Sequence, residues 1–353
     1  DGVYTRGSKN WPSLGRTRGQ SFAGGETRSH STDQTTAVGM AEALSHAMRN
    51  TSYMAFAGSG MYGLSFVGAL RALREMDAFD ALRSNLKGCC GTSSGTVMAL
   101  FVLVDAPIER LMNIVRDTEA GIVPDVDLTN LFGGGNYGLD DGKRLREIIA
   151  TVIEEAGRAA TTTFADLFRL THKDFVCCVT CVNTHQPVHL GHRTHPDLKI
   201  ADAMYMSMTL PFIFVPQQIG NQIFADGCLT QNLPLAFPQR ETLHFNVYAP
   251  KMREIRNWRE YAYSVFRCTL AHQDANVEAI RSADPMRVVG IRIPYSYTIS
   301  LRISNGEVEQ LVRSGYARVA CMRHPQLAPC LADLLRVLLH DGGAMMAVAR
   351  RSP

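Results

Sequence analysis

Gly91, Ser93 and Gly95 stand in the pattern G-x-S-x-G. Glycines on both sides of a serine let the backbone turn sharply from strand to helix and hold the hydroxyl at a sheet's edge. The bare pattern also describes an ordinary Gly/Ser-rich loop. Its neighbours supply the context the chemistry requires, a short strand candidate at residues 86–90 and an apolar helical stretch at residues 96–104. Ser93 would then sit at the positive end of that helix, placed for nucleophilic attack in acyl transfer.

Such a nucleophile needs donors for the oxyanion that develops on attack, usually backbone N–H groups in a turn clear of side chains. Gly58, Ser59 and Gly60 supply a turn of this kind, between an apolar run at residues 53–57 and a helical stretch reaching about residue 76. No G-K-[ST] follows, which disfavours a phosphate-binding P-loop. Asp226 closes a short strand candidate at residues 222–225 and precedes Gly227. Its carboxylate would emerge at a strand's C-terminal edge, where open α/β sheets place their sites, although an Asp-Gly pair alone commonly marks only a turn.

In this order the segments resemble the patatin-like phospholipases. Gly58 to Gly63 is similar to that family's glycine-rich oxyanion element, Gly91-x-Ser93-x-Gly95 to its nucleophile elbow, and Asp226-Gly227 with Asn232-Leu-Pro234 to its catalytic Asp segment. Residues 182–188 and 207–214 resemble the intervening parts, so the likeness covers about residues 53–316. It implies a patatin-like three-layer α/β/α fold with a central, mainly parallel sheet and a nucleophile elbow. It also implies a lipid acyl hydrolase of the phospholipase A type, working on carboxyl esters of phospholipids or neutral lipids at a membrane surface visited transiently. By the same resemblance Asp226 takes the Ser93 proton in a two-residue dyad, Gly58, Ser59 and Gly60 hold the oxyanion, Gly91 and Gly95 shape the elbow, and no cofactor or metal takes part. Two positions depart from the family pattern: Ser59 stands where a third glycine is common, and Tyr62 where Arg or Lys is common. These departures motivate an alternative, a weak or inactive patatin-like domain with a binding or structural role.

Rival constellations exist. His244, His272 and His324 follow Asp226 in the order a Ser-Asp-His triad would take. Cys178-x-x-Cys181 with His185, His189, His192 and His195 invites a zinc reading, but residues three apart on a strand point to opposite faces, and small apolar cysteines in a buried strand fit better. Residues 251–259 interleave Met252, Ile255 and Trp258 with Arg253, Arg256 and Arg259 at helical spacing, suiting either a lipid interface or the start of a packed helix.

Positioning these groups requires a sheet. Two strand–turn–helix units in succession predict parallel strands with helices on the faces. Further strands are expected at residues 174–182, 222–225, 243–249 and 288–293, with 187–191 as a hairpin partner or continuation. Helices are expected from Pro107 to about residue 118, at 141–155, at 164–170 capped by Thr163, at 199–208 and over most of 258–282. Val308, Leu311, Val312 and Tyr316 share one helix face, and Leu331, Leu334, Leu335, Leu338 and Leu339 share another. Residues 1–36 carry few large apolar side chains, so we divide the chain into a polar arm (1–50), a catalytic domain (51–320) and a helical extension (321–353).

The 353 residues suffice for a full core, and 36 Lys+Arg against 33 Asp+Glu leave only +3, which disfavours a nucleic-acid partner. The longest apolar run, residues 97–104, is far short of the ~20 a spanning helix needs. Nine cysteines are too few for a disulfide scaffold and odd in number. A cytoplasmic protein is expected, with peripheral membrane contact.

Overall fold

The computed structural model describes residues 29–117, 137–248, 254–293 and 303–324. In chain order, α1 (Ser29–Arg49) leads to β1 (Tyr53–Phe56), and α2 (Leu64–Arg74) and α3 (Phe79–Asn85) return the chain to β2 (Gly88–Thr92). Next come α4 (Gly95–Leu103), α5 (Ile108–Asp117), β3 (Gly138–Asp140), α6 (Lys143–Glu155) and α7 (Phe164–Thr171). The middle of the chain forms β4 (Asp174–Cys181), β5 (Gln186–Gly191), α8 (Ile200–Met208), β6 (Phe212–Phe214), β7 (Gln217–Ile219) and β8 (Gln222–Asp226). Last are β9 (Thr242–Tyr248), α9 (Trp258–Ala271), α10 (Asp274–Ala283), β10 (Val288–Arg292) and α11 (Asn305–Arg323).

Eight strands form the central sheet in the order β10-β9-β1-β2-β4-β8-β7, with β5 also on β4. The run from β10 to β4 is parallel, whereas β5, β8 and β7 pair antiparallel. Every residue of β2 is buried, as expected for a parallel strand covered on both faces. Helix α4 buries residues around nearly its whole circumference and forms part of the core behind the strands. The expectation of a large, mainly parallel sheet flanked by helices holds. β3, β6 and β7 were not expected; each has three residues, too few to show an alternating pattern.

One detail of register positions the site. Along one edge β4 pairs with β5 over Val176–Cys181. Its other edge is shared: β2 runs parallel up to Thr92 opposite Cys178, and β8 runs antiparallel down to Asp226 opposite Val179. The C-terminal ends of β2 and β8 therefore meet head to head against neighbouring residues of β4.

Outer helices join this frame by unusually close contacts. Where α2 crosses α11, a Cβ on Gly68 would lie 1.7 Å from the Val312 carbonyl oxygen, and one on Gly315 1.7 Å from that of Ser65. Only glycine permits that backbone approach. The segment expected as a polar arm is, from Ser29, a helix, and its C-terminal part buries Leu44, Ala47 and Met48. Those three residues at i, i+3, i+4 are a short apolar stripe that polar neighbours conceal. Buried Arg287 secures the helix end, donating to the Ala47 carbonyl (3.2 Å) and the Thr51 hydroxyl (2.9 Å). A cation there also faces the negative end of the helix. The helix expected over 258–282 is two, broken at His272 and Gln273. The leucine face at 331–339 lies outside the described residues, as does much of the basic segment at 251–259, of which Ile255 is exposed.

Candidate active site

The elbow around Ser93 is made by backbone crowding. A Cβ on Gly91 would fall 2.4 Å from the backbone of Gly95, and one on Gly95 2.2 Å from the Phe56 carbonyl oxygen of β1. With both neighbours pressed against main chain, Ser93 takes the turn itself, at φ +51°. Left-handed backbone at a non-glycine residue costs about 1–3 kcal/mol and persists only where surroundings enforce it. Here α8 helps: Ser207 Oγ accepts from the Ser93 N–H at 2.8 Å and donates to the Cys178 carbonyl at 2.6 Å. Ser93 itself is half-buried and stands at the N-terminal end of α4.

Asp226 is fully buried at the facing strand end. Burial pushes its carboxyl up to about 6, against the opposing pull of the Cys228 N–H and the Ser93 hydroxyl. Oδ1 accepts from the Cys228 N–H at 2.9 Å. Oδ2 has no hydrogen-bond partner within bonding distance among the described residues, and the Ser93 hydroxyl is near enough to pull the carboxyl down. The residue's backbone is fixed from two sides, its N–H donating to the Thr209 carbonyl (2.9 Å) and its C=O accepting from Thr180 Oγ1 (2.9 Å). Burial raises the Cys178 thiol to about 12 and the Cys228 thiol well above its ordinary value, so the sulfurs beside Asp226 stay protonated.

The glycine turn after β1 closes the third side. The position of a Cβ on Gly58 lies 3.2 Å from Ser93 Cβ and 2.7 Å from Asn232 Oδ1, which puts turn, serine and the segment after Asp226 in contact. Gly58 N–H donates to the Asn232 carbonyl at 3.0 Å and so is already engaged within the fold. Ser59 N–H makes a long 3.3 Å bond to Ser94 Oγ, and Gly60, at φ +53°, is exposed beside it. The side chain of Ser59 adds a buried hydroxyl without a hydrogen-bond partner among the described residues, and Tyr62 packs against the core where a basic group is common in the family. Residues 58–63 also spell G-x-G-x-x-G, the spacing of a dinucleotide-binding turn. Ser93 and Asn232 take up the space beside Gly58.

The rival constellations are engaged elsewhere. His244 is buried in β9, its Nδ1 3.2 Å from the Arg287 carbonyl and its Nε2 2.7 Å from Gln239 Oε1, and burial holds it down at about 4. His272 ends α9 and His324 ends α11; among the described residues none of the three hydrogen-bonds to Asp226. His189 Nε2 meets Gln231 Oε1 at 2.6 Å, and His192 pairs with Asp174 (2.7 Å) and stacks on Phe168. Among the described residues no His, Cys, Asp and Glu group is arranged to hold a metal.

Sequence reasoning missed Gln231 and Gln273, whose amides hold the segment after Asp226. Gln231 Oε1 accepts from the Leu235 N–H as well as facing His189. Gln273 reaches that segment from the break between α9 and α10.

A serine at a strained strand–helix turn, facing a buried carboxyl across one strand edge and flanked by a glycine turn, defines an α/β protein of the nucleophile-elbow class. The chain belongs to the patatin-like phospholipase family, whose model matches residues 54–237. It is 24% identical over 183 residues to an uncharacterized protein of Acanthamoeba polyphaga mimivirus, covering 52% of this chain and 59% of that one. It is 21% identical over 187 residues to a protein of Invertebrate iridescent virus 6 named "Probable lipid hydrolase", covering 52% and 61%. The chain thus spans about three fifths of each viral relative. Among solved structures, VipD from Legionella pneumophila shares the fold, with a TM-score of 0.53 at 16% identity, over 78% of this chain and 67% of that one. No helix of the described residues is long and apolar enough to cross a membrane.

Proposed function

We propose that this chain is a lipid acyl hydrolase in which Ser93 is the nucleophile and Asp226 its base. One observation carries the reading: two strands end head to head on β4, one delivering a strained serine and the other a fully buried carboxyl with an oxygen to spare. In the first step Ser93 Oγ attacks the ester carbonyl while its proton passes to Asp226 Oδ2. Negative charge on the carbonyl oxygen falls to the Ser59 and Gly60 N–H groups and the start of α4. Collapse expels the alcohol, which takes the proton from Asp226 and leaves an acyl-Ser93. Water then repeats the sequence, giving its proton to Asp226 and releasing the fatty acid.

Family membership supports phospholipids or acylglycerols as substrates, met at a membrane surface. A binding or structural domain would have no use for the strain at Ser93, which weighs against the inactive alternative. We take residues 51–320 as the unit that carries the reaction, with α1 docked on it. The test is fluorophosphonate labelling with fatty-acid release from phospholipid and acylglycerol vesicles, for wild type, Ser93→Ala and Asp226→Asn. Labelling and release in wild type alone are expected. A folded wild-type protein that neither labels nor releases fatty acid overturns the proposal.

A further inference from the structure

We propose that Gln273 is a positioning residue that sets the spacing between the Asp226 carboxyl and the oxyanion turn; the role rests on the reading of Ser93 and Asp226 given above. Gln273 lies beyond the residues matched by the family model, in the break between α9 and α10. Its carboxamide works in two directions. Nε2 donates to the Cys228 carbonyl at 2.8 Å, with a weaker contact of 3.4 Å to Thr269 in its own helix. Oε1 accepts from the Asn232 N–H.

Each contact is one peptide from a working group. The Cys228 N–H donates to Asp226 Oδ1 at 2.9 Å, and the Asn232 carbonyl accepts from the Gly58 N–H at 3.0 Å. One planar amide therefore ties Cys228, which orients the base, to Asn232, on which the oxyanion turn rests. Gln231, within that segment, ties it to His189 of β5 and to the Leu235 N–H, but reaches neither Gly58 nor Asp226 through its amide. Displacement of about 1 Å between reacting groups costs on the order of 10²-fold in rate, so a spacer of this kind governs chemistry more than binding.

The chemistry of the clamp dictates its test. It needs a donor and an acceptor on one planar group; a neutral Glu carboxyl offers both, an ionised one only acceptors. With a short soluble ester, Gln273→Ala is expected to lower kcat and the fluorophosphonate labelling rate together, about 10- to 100-fold, at unchanged KM. For Gln273→Glu, the rate relative to wild type is expected to climb towards unity as pH falls from 8 to 5. Amide hydrogen exchange reads the clamp without activity: Gln273→Ala should release Gly58 and Cys228 together and leave β9 protected. Wild-type labelling in Gln273→Ala, an equal rise in KM, or a flat Gln273→Glu ratio overturns the role. If wild type itself fails to label, the Ser93–Asp226 reading falls. Exchange then decides the clamp alone, release at neither or only one of Gly58 and Cys228 sinking it.

Discussion

The two strand ends that meet on β4 hold their functional residues differently. At the β2 end, main chain presses on main chain: Gly91 against Gly95, Gly95 against β1, and the strain settles on Ser93. At the β8 end Gly227 also presses on the Cys178 carbonyl of β4, but Asp226 itself is fixed by hydrogen bonds to Thr180, Thr209 and Cys228, and its following segment by Gln231 and Gln273. A nucleophile can be held by sterics because its hydroxyl needs only one direction. A buried base has to be held by hydrogen bonds, because each unpaired neighbour would move its pKa and its free oxygen must stay free.

If the contrast is right, damage at the two ends should differ in kind. Gly95→Val drives a side chain into the Phe56 carbonyl and should abolish folded protein or cost more than about 4 kcal/mol by thermal unfolding. A folded Gly95→Val protein of near-normal stability would break the steric account of the β2 end. Asp226→Asn should fold but lose about 10²- to 10⁴-fold in labelling rate. It should also be more stable than wild type at pH 8. Burial raises the folded carboxyl from 3.8 to about 6, so the native state holds its proton more tightly and loses stability as pH rises through that window. Relief of roughly 3 kcal/mol is expected above pH 6, shrinking to nothing below pH 4, as read from denaturant melts across pH.

Smaller effects separate bystanders from participants. His244→Ala should keep the wild-type labelling rate while losing about 1–3 kcal/mol, since Gln239 loses its buried partner; a large drop in labelling would restore a triad. Ser94→Ala removes the hydroxyl that occupies the Ser59 N–H and is expected to raise the acylation rate about two- to threefold, because that bond is long and weak. A fall in rate would mean that Ser59 is not an oxyanion donor.

The same contrast explains what could be read from the chain. The β2 end is legible because its geometry admits few residue types: glycine where backbones touch and serine at the turn, within five positions. Asp226 is legible only in company, since an Asp-Gly pair has many uses and gains meaning from its order after Ser93. Gln273 carries no pattern at all. It acts through peptide groups far away in sequence and sits where a continuous helix was expected. Helix α1 was missed for a related reason: Leu44, Ala47 and Met48 make a short stripe, and the contacts that stabilise it come from Arg287 near the other end of the chain. Gly58 shows the converse, since a motif can name a residue without revealing that its N–H is already bonded.

The pairing of Ser93 with Asp226 is tested most directly by the fluorophosphonate labelling rate of the full chain as a function of pH, in wild type and Asp226→Asn. Wild-type labelling should rise with pH through a midpoint near 6, where the buried carboxyl ionises, and level off above it. Asp226→Asn should lack that rise and label at least ~10²-fold more slowly while remaining folded. A rate independent of pH between 5 and 8, or one that survives Asp226→Asn, would contradict the pairing.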